Sequence, residues 1–177
     1  MSARGIKNQR VIITAGGSGI GRAIADLLIE NGAKVHICDI VDDFLENFAK
    51  EHPKAGVTKS DVSKESDVAR LFSDASNTLG GLDAMINNAG IAGPTKPVED
   101  ISLDEWNSCL GVGLTGQFLC TRLAVPLLKT NGGGSIVNMS SVAGKYGFPG
   151  RSPYSAVKYG VIGITETWAR ELGPSNI

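Results

Sequence analysis

The chain reads as an α/β protein, a doubly wound parallel sheet in three α/β/α layers with strand order 3-2-1-4-5. Three observations predict this. Short apolar runs of strand length alternate with longer segments of helical period along the whole chain. The strands are continuously apolar rather than alternating, as strands covered on both faces must be. A glycine-rich loop joins the first strand to the first helix, where such sheets bring their ligand sites. At 177 residues, 42% apolar and 20% charged, the chain has the size and composition of one folded domain, 1–177.

The first strand is RVIITA, 10–15, and the helix after the loop carries Ile20, Ala23, Ile24, Leu27 and Leu28 at helical spacing. Asn31-Gly32 stops that helix as a left-handed cap. KVHICD, 34–39, is a second strand ending in an acid; residues 42–50 are helical and Pro53 closes them. A weaker strand, VTKSD, ends at Asp61. Ser63 is the expected cap of a helix striped by Val68, Leu71, Phe72, Ala75 and Leu79, with Gly80-Gly81 as its stop.

The fourth strand lies in LDAMINNAG, 82–90. After Pro94 and Pro97, Ser102-Leu-Asp-Glu105 is a capping box that starts a long helix toward Lys129. Three glycines precede the fifth strand, SIVNMS, 135–140, and the last helix runs from about Tyr154 to Leu172. The right-handed crossover rule then places successive helices on the two faces of the sheet.

Charge and composition exclude several classes. A net charge of −1 with scattered basic residues argues against a nucleic-acid surface. No apolar run approaches the ~20 residues of a membrane span, and the expectation is a cytoplasmic protein. Cys38, Cys109 and Cys120 have no metal or disulfide spacing and read as buried thiols; His36 and His52 are too isolated to anchor a metal, so no metal site is expected.

Four stretches carry chemistry. In Thr14-Ala-Gly-Gly-Ser-Gly-Ile-Gly21, backbone N–H groups of Gly16, Gly17, Ser18, Gly19, Ile20 and Gly21 can approach a pyrophosphate at a helix N-terminus. Asp39, about twenty residues on, stands where an acid accepts ribose hydroxyls and repels a 2′-phosphate, which favours NAD over NADP; alternatively it caps the following helix. Asn87-Asn88-Ala89-Gly90 ends the fourth strand near the switch point. Ser141 and the pair Tyr154 and Lys158 could converge, because positions four apart share a helical face. Taken alone, a Tyr-x-x-x-Lys is most often a half-buried aromatic and a solvated charge.

These motifs, in this order, resemble the short-chain dehydrogenase/reductase family from about residue 8 to 177. The loop is similar to the family's Thr-Gly-x-x-x-Gly-x-Gly, Asp61-Val62 to its adenine-contacting pair, Asn87 to Gly90 to its Asn-Asn-Ala-Gly, and Ser141, Tyr154 and Lys158 to its catalytic serine and Tyr-x-x-x-Lys. The resemblance implies a Rossmann-like oxidoreductase that moves a hydride between NAD(H) and a secondary alcohol or ketone. Tyr154 would be the general acid/base, Ser141 would hold the substrate oxygen, and Lys158 would favour the charged phenol and bind the nicotinamide ribose. Asp61, Val62, Asn88, Ala89 and Gly90 would join the glycine loop and Asp39 in holding NAD, with Tyr154 and Lys158 at its nicotinamide end. It also implies a homodimer or homotetramer through the long helix and the last one.

Three departures from the family pattern stand out. Ala15 replaces the first glycine, and its methyl is tolerable if φ is negative. Gly113 replaces the asparagine of the family's catalytic tetrad, which implies a slowed proton relay with hydride transfer intact. Residues Gly173 to Ile177 follow the last helix with no further strand, so the fifth strand is expected at an open edge and the family's C-terminal strands and substrate loop are expected to be missing. Two other functions fit the same residues. One is a catalytically impaired NAD-binding or interaction protein; the other is an epimerase or dehydratase of the related extended type, which the compact glycine spacing disfavours. Tyr146 and Phe148 would line the substrate mouth, with the substrate itself unspecified.

Overall fold

The computed structural model describes residues 5–177. Five parallel strands form one sheet in the order β3-β2-β1-β4-β5. They are β1 (Arg10–Thr14), β2 (Lys34–Asp39), β3 (Gly56–Lys59), β4 (Ala84–Asn87) and β5 (Ser135–Asn138). The helices are α1 (Gly19–Glu30), α2 (Asp42–Glu51), α3 (Glu65–Leu79), α4 (Leu103–Leu110), α5 (Gly116–Thr130) and α6 (Ser152–Leu172). The order reverses between β1, which is flanked by β2, and β4, so the loops after β1 and β4 open side by side.

Both faces of the sheet are buried over β1, β2 and β4. On one, Val11, Ile13, Val35 and Ile37 pack with Ala25 of α1 and Leu45 and Phe48 of α2. On the other, Ile12, Cys38 and Met85 meet Leu71 and Phe72 of α3 and Cys120, Ala124 and Leu128 of α5. Burial of each such large side chain is worth about 1.5–3 kcal/mol, which explains why the strands are apolar without alternation. The three cysteines are free and buried.

Several helix ends match their sequence signals. Gly80 caps α3 at φ 70°, and Ser102 accepts from the Glu105 N–H while the Glu105 carboxylate accepts from the Ser102 N–H. Ser63 does not cap α3. Its hydroxyl and N–H both donate to Asp61 Oδ1, at 2.7 and 3.0 Å, and the helix starts two residues later. The apolar face of α1 is also turned from the expected one: Ile20 and Leu27 are 65% and 59% exposed, and Gly21 and Ala25 face the sheet. The cause is close approach at Gly21, where a Cβ would lie 2.2 Å from the Ala15 carbonyl oxygen.

Residues Leu103–Thr130 run as one 28-residue helical rod, by length and mean hydropathy enough to cross a membrane although it holds no unbroken apolar run of that length. Here its apolar side chains Leu119, Cys120, Ala124 and Leu128 are buried in the sheet core. The rod contains a π-helical turn, Gly111–Thr115. Three glycines weaken the α-helix locally, and two of them are pinned on different neighbours, Gly113 by Val157 of α6 and Gly116 by Val62. The wider turn satisfies both contacts. At the far side of the sheet β5 is an edge strand, with Val137 45% exposed.

Candidate active site

The site is built at the carboxyl ends of β1, β4 and β5. The last residue of β1, Thr14, ties the first two together. Its hydroxyl oxygen accepts from the N–H groups of Asn88 (3.0 Å) and Ala89 (2.9 Å). The Asn88 side-chain amide donates back to the carbonyls of Thr14 and Ala15, at 3.0 and 3.1 Å. Asn88 therefore fastens the glycine loop to the β4 loop through its amide N–H groups.

The loop itself takes a backbone the sequence analysis did not foresee. Ala15 has φ +49°, in the left-handed region, so its methyl is strained rather than tolerated. Gly19, at φ +55°, opens α1, and a Cβ there would point into open space. The N-cap Ser18 makes no side-chain cap, and the first turn holds no acid. The first N–H groups of α1 thus keep no partner within the helix, at its positive end, beside an unobstructed space. A cradle of this kind fits the pyrophosphate of a dinucleotide.

Asp39 is 7% exposed at the end of β2. Its Oδ2 accepts from the Gly17 N–H at 3.1 Å, and its Oδ1 from the N–H groups of Ile40 and Val41 at 2.8 and 3.3 Å. The carboxylate thus holds the glycine loop and the turn into α2 together. It does not cap α2, whose N-cap is Val41 with no side-chain cap, because its bonds go to the turn before the helix. Asp61 and Val62 follow β3; Val62 is buried, and the hydrogen bonds from Ser63 with the charge of Lys64 hold the Asp61 carboxyl below its ordinary range, against the opposing effect of burial. Gly90 closes the β4 loop, where a Cβ would stand 3.7 Å from Lys158 Nζ.

Lys158 is not a solvated helix charge. It is 5% exposed, and its Nζ donates to the Met139 carbonyl at 2.7 Å and lies 5.5 Å from the centroid of the Tyr154 ring. Burial pushes its ammonium below the ordinary lysine value, and the nearby Cys109 opposes this. Pro153 sits in the first turn of α6, where its missing N–H costs nothing, so the helix starts just before the Tyr154 and Lys158 pair. Ser141 caps a short turn, its Oγ accepting from the Ala143 N–H at 3.2 Å, and that turn lies against α6, where Ser140 donates to the Lys158 carbonyl at 2.9 Å. The fold therefore gathers the ends of the glycine loop, the β4 loop, the Ser141 turn and the first turns of α6.

Gly113 lies against this cluster, and a Cβ on it would meet Val157 Cγ1 at 2.6 Å. Val157 precedes Lys158 and is 1% exposed, in a cluster with Cys109, Val161 and the half-buried Tyr154. The position expected to lack an asparagine is thus filled from α6 by an apolar side chain. Sequence reasoning missed Val157 and Cys109, whose roles come from a contact between distant segments. It also missed Met139, whose backbone carbonyl has no sequence signature at all.

A family model described as short chain dehydrogenase matches residues 9–177. Over 166 residues the chain is 39% identical to a 2-dehydro-3-deoxy-L-rhamnonate dehydrogenase (NAD(+)) of a Sphingomonas species, covering 94% of this chain and 67% of that one. It is 36% identical over 174 residues to a 2,5-dichloro-2,5-cyclohexadiene-1,4-diol dehydrogenase of Sphingobium indicum, covering 97% and 70%. Among solved structures, the 3-ketoacyl-(acyl-carrier-protein) reductase of Brucella melitensis complexed with NADH superposes with a TM-score of 0.94 at 32% identity, over 97% of this chain and 73% of that one.

Proposed function

As the chain belongs to the short-chain dehydrogenase family, we propose that it transfers a hydride between NAD(H) and a secondary alcohol or ketone, with Tyr154 as general acid and base. One observation carries the reading: the buried Lys158 ammonium 5.5 Å from the Tyr154 ring, held by the Met139 carbonyl. A positive charge held beside the ring favours negative charge developing on the phenol during proton transfer, the task of a positioned acid or base.

In the oxidative direction Tyr154 takes the hydroxyl proton and Ser141 donates to the substrate oxygen; reduction reverses both steps. NAD, when bound, supplies the hydride acceptor or donor. The residues that would hold it are Ser18 to Gly21 at its pyrophosphate, Asp39 at the adenosine ribose, Asp61 and Val62 at the adenine, and Asn88 to Gly90 with Tyr154 and Lys158 at the nicotinamide ribose. Contrary to the sequence reading, the N–H groups of Gly16 and Gly17 are not free for phosphate, because they donate to the Cys38 carbonyl and the Asp39 carboxylate. Asp39 supports NAD over NADP because a 2′-phosphate would bring negative charge beside a buried carboxylate. Dehydrogenases and reductases among the relatives support the alcohol and ketone class.

Tyr154→Phe is the decisive variant. Turnover of a panel of secondary alcohols, followed by NADH absorbance, falls by at least about 100-fold, while NADH binding by fluorescence weakens by no more than the loss of one hydrogen bond, about tenfold. A Tyr154→Phe protein that turns over at the parent rate refutes the assignment. Gly113 favours a second reading, an NAD-binding protein with impaired catalysis; binding of NADH without turnover of any substrate by the parent chain selects it. A homo-oligomer built through α4 to α6 accounts for the exposure of Leu103 (71%), Phe118 (46%) and Tyr159 (48%) on those helices. Sedimentation as a monomer at micromolar concentration counts against it.

A further inference from the structure

Beneath the Lys158 contact lies a set of polar atoms that the proposed reaction does not use. Gln117 of α5 is 2% exposed, yet neither its Oε1 nor its Nε2 has a hydrogen-bond partner. Asn87, at the end of β4, is 1% exposed; its Nδ2 donates to Thr121 Oγ1 (3.1 Å) and Asn138 Oδ1 (2.8 Å), and its Oδ1 has no partner. Thr121 is one turn from Gln117 on the same helix face, so the amides of Gln117 and Asn87 share that neighbour. Buried polar groups are almost always satisfied, and leaving an amide unpaired is costly. A leucine would fill the same volume without that cost.

Side chains on a helix lean toward its N-terminal turn. From Gln117 that turn holds Gly113, against which Val157 of α6 is packed. An internal water is stable where two to four polar groups meet it, and Gln117 and Asn87, linked through Thr121, offer three unpartnered buried atoms.

The same Asn87 is joined to the catalytic cluster by backbone: its carbonyl accepts from the Met139 N–H at 3.0 Å, and the Met139 carbonyl receives Lys158. From this geometry we infer that Gln117 and Asn87 hold a buried water that fixes the end of β5, and with it the Met139 carbonyl that places Lys158. Gln117 is then a positioning residue for the proton-handling pair, acting through the strand end. The titratable groups around Lys158 are Tyr154 on its own helix and Cys109 on α4, with the Arg151 guanidinium beyond. This inference rests on the reading of Tyr154 and Lys158 as that pair.

The test is a high-resolution crystal structure of the protein and of Gln117→Leu, with pH profiles of kcat for both and for Gln117→Glu. The expected result is an ordered water within hydrogen-bond reach of Gln117 and Asn87 Oδ1, lost in Gln117→Leu. That variant also loses about tenfold in kcat, with KM unchanged and the ionisation limb of its pH profile displaced, and Gln117→Glu recovers most of the loss. A dry site, a Gln117 amide bonded directly to another protein atom, or a Gln117→Leu profile that superimposes on the parent overturns it. Failure of the underlying reading shows differently: Tyr154→Phe then keeps turnover, while the crystallographic water still decides the fate of the Gln117 site.

Discussion

Ala15 offers a quantitative check on the backbone of the glycine loop. At φ +49° it is one of three non-glycine residues with positive φ among the described residues, and the other two, Asn8 and Asn176, belong to a type that tolerates that region. An alanine there costs roughly 1–2 kcal/mol relative to the right-handed region. Ala15→Gly removes the strain but restores freedom to the unfolded chain, worth about 0.4–1 kcal/mol against folding. It also gives up part of one methyl packed against the core. The net expectation is a gain of about 0.5 kcal/mol, or roughly 1–2 °C in Tm for a chain of this size.

Gly19→Ala is the reciprocal. It has open space around the added methyl but φ +55°, so about 1–2 kcal/mol of backbone strain, partly offset by the stiffer unfolded chain, leaves a loss of about 0.5–1 kcal/mol. Urea unfolding of the three proteins with a common m-value measures both changes. If Ala15→Gly destabilises the protein, or Gly19→Ala leaves it unchanged, the left-handed assignment of this loop is wrong.

Three further outcomes are open to measurement. Burial holds His36 neutral, with its pKa pushed down to about 4; Thr58 donates to Asp74 and can accept from His36 Nε2–H. The unfolded chain therefore binds the extra proton first as pH falls, and stability drops between about 6.5 and 4 by up to roughly 3 kcal/mol; a His36 NMR titration near 6.5 contradicts this. The Arg10 guanidinium, bound to Asp83 through two nitrogens, pulls the Asp83 carboxyl down to about 2. That stability is present above pH 3.8 and is lost as pH falls toward 2. After solvent screening Asp83→Asn costs about 1–2 kcal/mol at neutral pH, and equal midpoints in urea refute the pairing. Gly113→Asn is overpacked against Val157 and loses about 1–3 kcal/mol, whereas adding Val157→Ala recovers at least half of it; strict additivity in that cycle removes the contact from consideration.

The fold was legible because its signals are local. β1 and β2 are apolar on both faces, which only a covered parallel strand requires, and Gly80 and the Ser102 capping box mark helix ends within a few residues of themselves. The misreadings arose where a tertiary contact overrides the local one. Helical spacing alone put Ile20 and Leu27 in the α1 stripe, but close packing of Gly21 on the Ala15 carbonyl turned that face outward. Ser63 has a capping residue's chemistry, yet Asp61 sits two residues away and takes both of its donors. Nothing in the spacing of Gly111, Gly113 and Gly116 specifies a π-helical turn, because the turn answers to Val157 and Val62 from other parts of the chain.

The site divides along the same line. Motif order located the loop ends, but the working state of each polar group depends on partners far away in sequence. Asp39 and Asn88 read as ligand contacts, and the fold uses both to lash the glycine loop to its neighbours. Asp39 holds the Gly17 N–H and Asn88 holds the Thr14 and Ala15 carbonyls, so the loop backbone is fixed in advance, where ordering a flexible loop costs about 1–2 kcal/mol of entropy per residue. On the proposed reading, their contribution to cofactor affinity then lies in preorganisation as much as in contact. Asp39→Asn separates the two. It keeps one of the two acceptor oxygens, enough to hold Gly17 while the bonds to Ile40 and Val41 are lost, and removes the negative charge, so NADPH binding improves relative to NADH, while Asp39→Ala, which frees the loop altogether, weakens both cofactors together.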